Sequence, residues 1–244
     1  MGYVKNLHHI PFPFSGCLPF SSFSGMLPVR QGGVSMKTAI VACRTLEREL
    51  TDILNRKGCP WPVYWLEAGA HNHPQKRRQE ILEALEKCRE YDRVLLAMAY
   101  CGGSLEGVKS DTSTLVLPYC DDCISLLLGD HRQTDHYYLT HGWLVGKDNI
   151  HQEYRRSLER YGKATTERIF RSMLKNYRYL AYIPYPGEDE EELSVRLDQI
   201  AADLGLEPVI LESNTTWLEA LITENHSPDR FRILPPGVPI TREI

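Results

Sequence analysis

The chain lacks a basic surplus. Lys and Arg number 28 against 32 Asp and Glu, for a net charge of −4, and this removes the electrostatic case for nucleic acid or an anionic membrane as partner. No apolar run approaches the ~20 residues needed to cross a bilayer. The phosphate-cradling P-loop, the GxSxG elbow and the HExxH zinc helix are all missing, and so is a complete GxGxxG turn. There is no internal repeat. There is also no second CxxC to partner Cys120-Asp121-Asp122-Cys123. Nor is the cysteine count even: there are seven, several beside predicted strand ends. That pattern fits reduced thiols in a cytoplasmic protein better than a secreted disulfide framework.

What is present is an alternation of short apolar runs and amphipathic stretches. From Met36 the chain reads MKTAIVAC, an opening strand over Thr38–Cys43. Further strands are expected at Val63–Leu66, Arg93–Tyr100, Leu115–Pro118, Tyr137–Thr140, Arg178–Pro184, Pro208–Leu211 and Phe231–Leu234. Helical spacing separates them, with Leu46, Leu50 and Leu54 as the first instance and Pro74 opening the second. Strands alternating with helices of this length predict an α/β fold, a mainly parallel Rossmann-like sheet with helices on both faces. A lobe boundary is expected near 149–176, within a single α/β domain at 36–244. Residues 1–35 mix Pro, Gly, Ser and Phe without a period and read as a disordered leader or a mis-assigned start, with translation expected to begin at Met36. His8, His9 and Cys17 are therefore not candidates.

Ligands in open parallel sheets bind beyond the carboxyl ends of the strands. Those ends carry Cys43, then His71 and His73, then Cys101-Gly102-Gly103, then Cys120 to Cys123, then His141-Gly142-Trp143. Soft or borderline metal ligands thus follow each of the first five predicted strands. Cys43, Cys101 and Cys123 with His71 would make a four-coordinate zinc site, or three thiolates toward an iron–sulfur cluster. Gly102 and Gly103 would let a ligand approach the backbone. Trp143 could line a flat cofactor pocket, or pack in the core. The CxxC also has the spacing of a dithiol redox pair, although its two aspartates oppose thiolate formation. Each of these cysteines is equally a small residue suited to a core. His141 could be a ligand or a proton carrier. The acidic run Glu188–Glu192 reads as a solvated helix start, and Lys76-Arg77-Arg78 as an exposed helix face.

Taken as a set, AYCGGSLEGV, LPYCDDCISLLLGD and YYLTHGW resemble the signature blocks of the domain-of-unknown-function family 1638. The matching positions are Ala42-Cys43, His71-Asn72, Tyr100–Gly107, Asp122–Gly129 and Thr140–Trp143. His141 stands where the family often has proline, and Cys120 is less typical than Cys123. The resemblance implies no established activity. It implies an accessory role near corrinoid-dependent methyltransferases of anaerobes, and hence a corrinoid as cofactor, or a corrinoid protein or methyltransferase as partner. The functional expectations are therefore a zinc or iron–sulfur protein accessory to one-carbon methyl transfer, a non-catalytic corrinoid- or partner-binding module, or a dithiol redox protein using Cys120 and Cys123.

Overall fold

Six consecutive buried residues, Thr38–Cys43, form strand β1 at the middle of the molecule. A run apolar on both faces suits a strand covered from both sides. The computed structural model describes residues 36–68, 73–129, 131–146 and 149–242. The expected leader, 1–35, lies outside them, as does His71.

After β1 the chain makes a 3-10 turn, Arg44–Leu46, and helix α1, Glu47–Lys57. Strand β2, Val63–Leu66, pairs parallel with β1 and sets Leu66 opposite Cys43. Helix α2, Pro74–Lys87, leads to β3, Arg93–Ala97, which pairs parallel with the other side of β1. Arg77 corrects the reading of 76–78 as an exposed face: it is fully buried, donates to the carbonyl oxygen of Glu67 and pairs with Glu80 at 3.2 Å. It thereby ties α2 to the end of β2. Strand β4, Thr114–Pro118, follows, and then a single turn of helix, α3, Ser125–Leu128.

The chain then leaves this sheet and builds a second. Strand β5, His136–Thr140, runs straight into α4, His141–Val145. Helices α5, Ile150–Tyr161, and α6, Lys163–Met173, cross over to β6, Tyr179–Ile183. Helix α7, Glu190–Leu204, leads to β7, Glu207–Ile210. Helix α8, Thr216–Ile222, and β8, Phe231–Leu234, return to the first sheet. The result is a five-stranded sheet, β2-β1-β3-β4-β8, and a three-stranded sheet, β5-β6-β7. All pairings are parallel except β4 with β8. The expected α/β class and mainly parallel pairing hold, and the strands divide between two sheets. The helical pair at 149–176 is the crossover from β5 to β6.

Strand β6 shows how the two sheets become one body. Side chains alternate across a strand with period two. Ala181 and Ile183 join the core of the first sheet, while Leu180 and Tyr182 join a second core with Phe170, Leu193 and Leu197. All four β6 residues are fully buried. One face of the small sheet is thus covered by its own helices and the other by the larger unit.

The sheet order also places a crevice. From β1 the chain moves to β2 on one side, then to β3 on the other, so the direction of winding reverses between β1 and β3. Such a switch point leaves an opening beyond the carboxyl ends of the two strands. Cys43 ends β1, and Cys101 lies just beyond β3.

Candidate functional site: a thiol cleft between the two sheets

Strand β3 was expected to run to Tyr100 but leaves the ladder after Ala97. The next residues bond to the loop after β4 instead: Tyr100 N–H donates to the Cys120 carbonyl and Cys101 N–H to that of Asp121, both at 3.2 Å. The backbone then turns left-handed at three successive residues, with φ of 45° at Cys101, 66° at Gly102 and 89° at Gly103. For a residue with a Cβ this conformation costs roughly 1–2 kcal/mol. A Cβ added at either glycine would meet no protein atom within 4 Å, so within the protein it is the positive φ, not a close contact, that calls for glycine. The strain at Cys101 is held in place by the cross-loop bonds, and it brings its thiol to Cys123.

Three of the predicted cysteines meet here. Cys43 acts on Cys123 and Cys123 on Cys101, so Cys123 links the other two thiols in a chain. Their exposures are 1%, 6% and 6% respectively. Donating its proton to Cys123, together with burial, holds the Cys43 thiol well above the ordinary thiol range. The Cys123 thiol is raised in the same way, first by its bond to Cys101 and then by burial. Thiols so placed are protonated at neutral pH. Opposing donors are also present. The Thr45 hydroxyl donates to Cys43 Sγ at 3.0 Å, the Thr45 backbone adds a bond, and the Ala99 backbone serves Cys123. Hydrogen bonds of this kind favour sulfur in its anionic form. Cys120 stands apart from the line, its thiol raised chiefly by burial and then by Cys123, Asp122 and Asp121.

Cys101 and Cys123 open onto a cleft of ≈ 310 Å³ whose other wall belongs to the second sheet. Tyr137, Tyr138, Trp143 and Tyr177 supply that wall. Tyr137 meets Tyr177 edge to face at 5.4 Å, and burial raises the Tyr137 hydroxyl to about 12. Gly102 lines the cleft with them, and Gly103 does not. At one side Arg132 pairs with Asp122 and sits 5.5 Å over the Tyr138 ring. Sequence reasoning found Trp143 but missed the tyrosines and Arg132. The density of aromatics in HYYLTHGW was a signal for Tyr137 and Tyr138, and Tyr177 and Arg132 had none.

The junction of the sheets is close by. Thr140 Oγ1 donates to the Thr45 carbonyl at 3.5 Å, and Gly142 sits hard against the backbone of Arg44 and Thr45. His141 turns away from the thiols to Glu188, with Nδ1 3.3 Å from Oε1. Asp189, Glu191 and Glu192 form the solvated helix start expected of 188–192, and Glu188 departs from it. Its side chain is only 12% exposed, and it accepts from the Tyr182 hydroxyl at 2.8 and 3.0 Å and from Tyr185 N–H at 3.3 Å. His73 is exposed at the start of α2. His71, the expected fourth ligand, lies outside the described residues. Among the described residues no group of three or more His, Cys, Asp or Glu is arranged to hold a metal ion. No helix among them is long and apolar enough to cross a membrane.

The fold and this cleft define an α/β protein with a buried trio of thiols at a strand switch point. The family model described as protein of unknown function (DUF1638) matches residues 65–222, and the chain belongs to that family. The matched span takes in His71, Cys101, Cys123 and Trp143, while Cys43 precedes it. No curated protein and no solved structure matches the chain.

Proposed function

We propose that the thiol trio is a binding centre for a thiophilic metal, zinc or an iron–sulfur cluster, with Cys43, Cys101 and Cys123 as thiolate ligands and His71 as the fourth. The observation that carries this reading is the strained turn at Cys101, a residue whose thiol acts on Cys123, which in turn interacts with Cys43. A packing role would not need a left-handed cysteine. The donor chemistry fits: sulfur selects zinc and iron–sulfur clusters over hard cations, and N–H and O–H groups already point at two of the sulfurs. Metal would displace the thiol protons. Binding is therefore expected to release protons and to strengthen with pH.

Anaerobic purification followed by metal analysis tests the centre. The wild-type protein is expected to carry stoichiometric metal, with Cys101→Ser and Cys123→Ser each losing it. Metal-free protein, or uptake unchanged in both variants, would refute the reading. An accessory role in corrinoid-dependent one-carbon transfer, with a corrinoid protein or methyltransferase docking at the cleft, belongs to the same proposal. Its test is capture of a purified corrinoid protein by the wild type and not by Trp143→Ala.

A second reading, thiol redox chemistry, is favoured by one observation: the cleft presents two bonded thiols. These are Cys101 and Cys123, not the CxxC pair Cys120 and Cys123. Oxidation with diamide, which takes up the two protons and two electrons, is expected to yield a Cys101–Cys123 disulfide on peptide mapping. A Cys120–Cys123 link, or no link, would speak against it.

A further inference from the structure

Glu49, on α1, is 1% exposed, and neither carboxyl oxygen has a hydrogen-bond partner. A buried polar group without a partner costs about 1–3 kcal/mol and calls for an explanation. Glu49 belongs to the first sheet's unit, and what it faces belongs to the second. Glu188 acts on it across the junction, and Glu49 in turn acts on Tyr182 of β6.

The surroundings decide what Glu49 can do. From its own helix comes Arg48, whose guanidinium lies 5.4 Å over the Tyr185 ring. The turn before α1 carries Arg44, already paired with Glu47 and Glu67. At the far end of α1, Arg56 and Lys57 are held by Glu219 of α8. From β6 and the loop after it come Tyr182, Tyr185 and Glu188, and from α4 His141. Arg196 of α7 acts on Tyr182 and donates to the Leu144 carbonyl of α4. Glu188 thus accepts from the Tyr182 hydroxyl and the Tyr185 N–H, with His141 Nδ1 3.3 Å away. Glu49, whose oxygens have no hydrogen-bond partner, has Arg48 as the cation acting on it, a weaker influence than burial or Glu188.

We propose that Glu49 and Glu188 form a one-proton latch across the junction of the two sheets, shut while Glu49 carries its proton, and that loss of this proton opens the cleft to Cys101 and Cys123. The inference rests on reading the cleft as the route to the thiols. With Glu49 neutral, its side chain adds no negative charge beside Glu188, and His141 and Tyr182 hold Glu188 within the second sheet's unit. When Glu49 gives its proton to solvent, a buried carboxylate meets a second one, and the pair can regain water only by moving apart. Helix α4 begins at His141, on the latch, and carries Trp143, on the cleft wall. Separation at the first therefore displaces the second.

Iodoacetamide labelling of the metal-free protein, mapped by mass spectrometry, tests this without reference to metal uptake. The labelling of Cys101 and Cys123 is read as a ratio to that of Cys59, a partly exposed thiol near α1 and away from the cleft. Between pH 6 and pH 8.5 the ratio is expected to climb at least fivefold more in the wild type than in Glu49→Gln. Glu188→Gln, which removes the repelling charge, is expected to move the rise to lower pH and lower its amplitude. Profiles of Glu49→Gln and Glu188→Gln that coincide with the wild type would overturn the latch. So would magnesium or manganese binding by the wild type that Glu49→Gln abolishes, since the pair would then hold a cation rather than a proton.

Discussion

Gly142→Ala is expected to destabilise the protein by about 2–3 kcal/mol, the upper part of the range for overpacking a well-filled site. A Cβ at this position would lie 2.6 Å from both Cα and O of Thr45 and 2.8 Å from the Arg44 carbonyl oxygen. All three are backbone atoms, so no side chain can swing aside. The backbone at Gly142 is ordinary helix, and alanine there would otherwise gain close to 1 kcal/mol of helix propensity. The clash must therefore outweigh a favourable change. Relief requires α4 and the turn Arg44–Leu46 to part, which draws Thr45 away from Cys43 and Trp143 away from the cleft. Chemical denaturation would show a lower midpoint, and labelling of Cys43 would rise with it. Gly146→Ala, at the other end of α4, is the control: its Cβ would come no nearer than 3.3 Å to any atom. Equal midpoints for the two variants would show that the contact at Gly142 can yield and that α4 does not lock the sheets together.

That contact also marks how far the sequence could be read. Strands whose apolar runs end in a break, such as Thr38–Cys43, Val63–Leu66 and Phe231–Leu234, fall where the pattern puts them. Strand β3 does not, because composition cannot register that Tyr100 and Cys101 spend their N–H groups on the loop after β4. The gathering of Cys43, Cys101 and Cys123 was legible from one rule, that parallel strand ends share an edge. The division of the strands into two sheets was not, because alternating elements say nothing about which strands pair. Everything that depends on that division was hidden with it. Tyr137 and Tyr177 become a cleft wall, and Glu188 becomes a buried acceptor, only because β5 and β6 lean on the first sheet. Gly142 looked like punctuation beside His141, and its need to be small comes from the backbone of Thr45, 97 residues earlier in the chain.

Glu49 is the most consequential of these hidden residues, and its effect on stability has a definite sign. Burial, with Glu188 adding to it, raises its carboxyl from 4.5 to about 7. A group whose folded value lies above its unfolded value binds more protons in the native state, so stability falls as pH rises. The contribution is whole below about pH 4.5 and is lost progressively as pH climbs to about 7 and beyond. At 1.36 kcal/mol for each unit, the loss is about 3 kcal/mol. Urea denaturation from pH 5 to pH 8.5 is expected to show this decline in the wild type and not in Glu49→Gln. The comparison is between slopes, since a glutamine amide in the same dry position carries its own cost, which does not change with pH. Carboxylates held low by cations, Glu219 by Arg56 and Glu224 by Arg93, work in the opposite direction. They add stability as pH rises through the acid range and have finished doing so before Glu49 begins to ionise. They are also common to both proteins, so the difference between the curves isolates Glu49. Parallel curves would mean that Glu49 ionises without penalty, and hence that it is not buried against Glu188 in solution. A decline that survives in Glu49→Gln but disappears in His141→Asn would move the titrating group to the imidazole. Only a decline that vanishes with Glu49 and shifts to lower pH in Glu188→Gln assigns the proton to a pair of carboxyl groups facing each other across the two sheets.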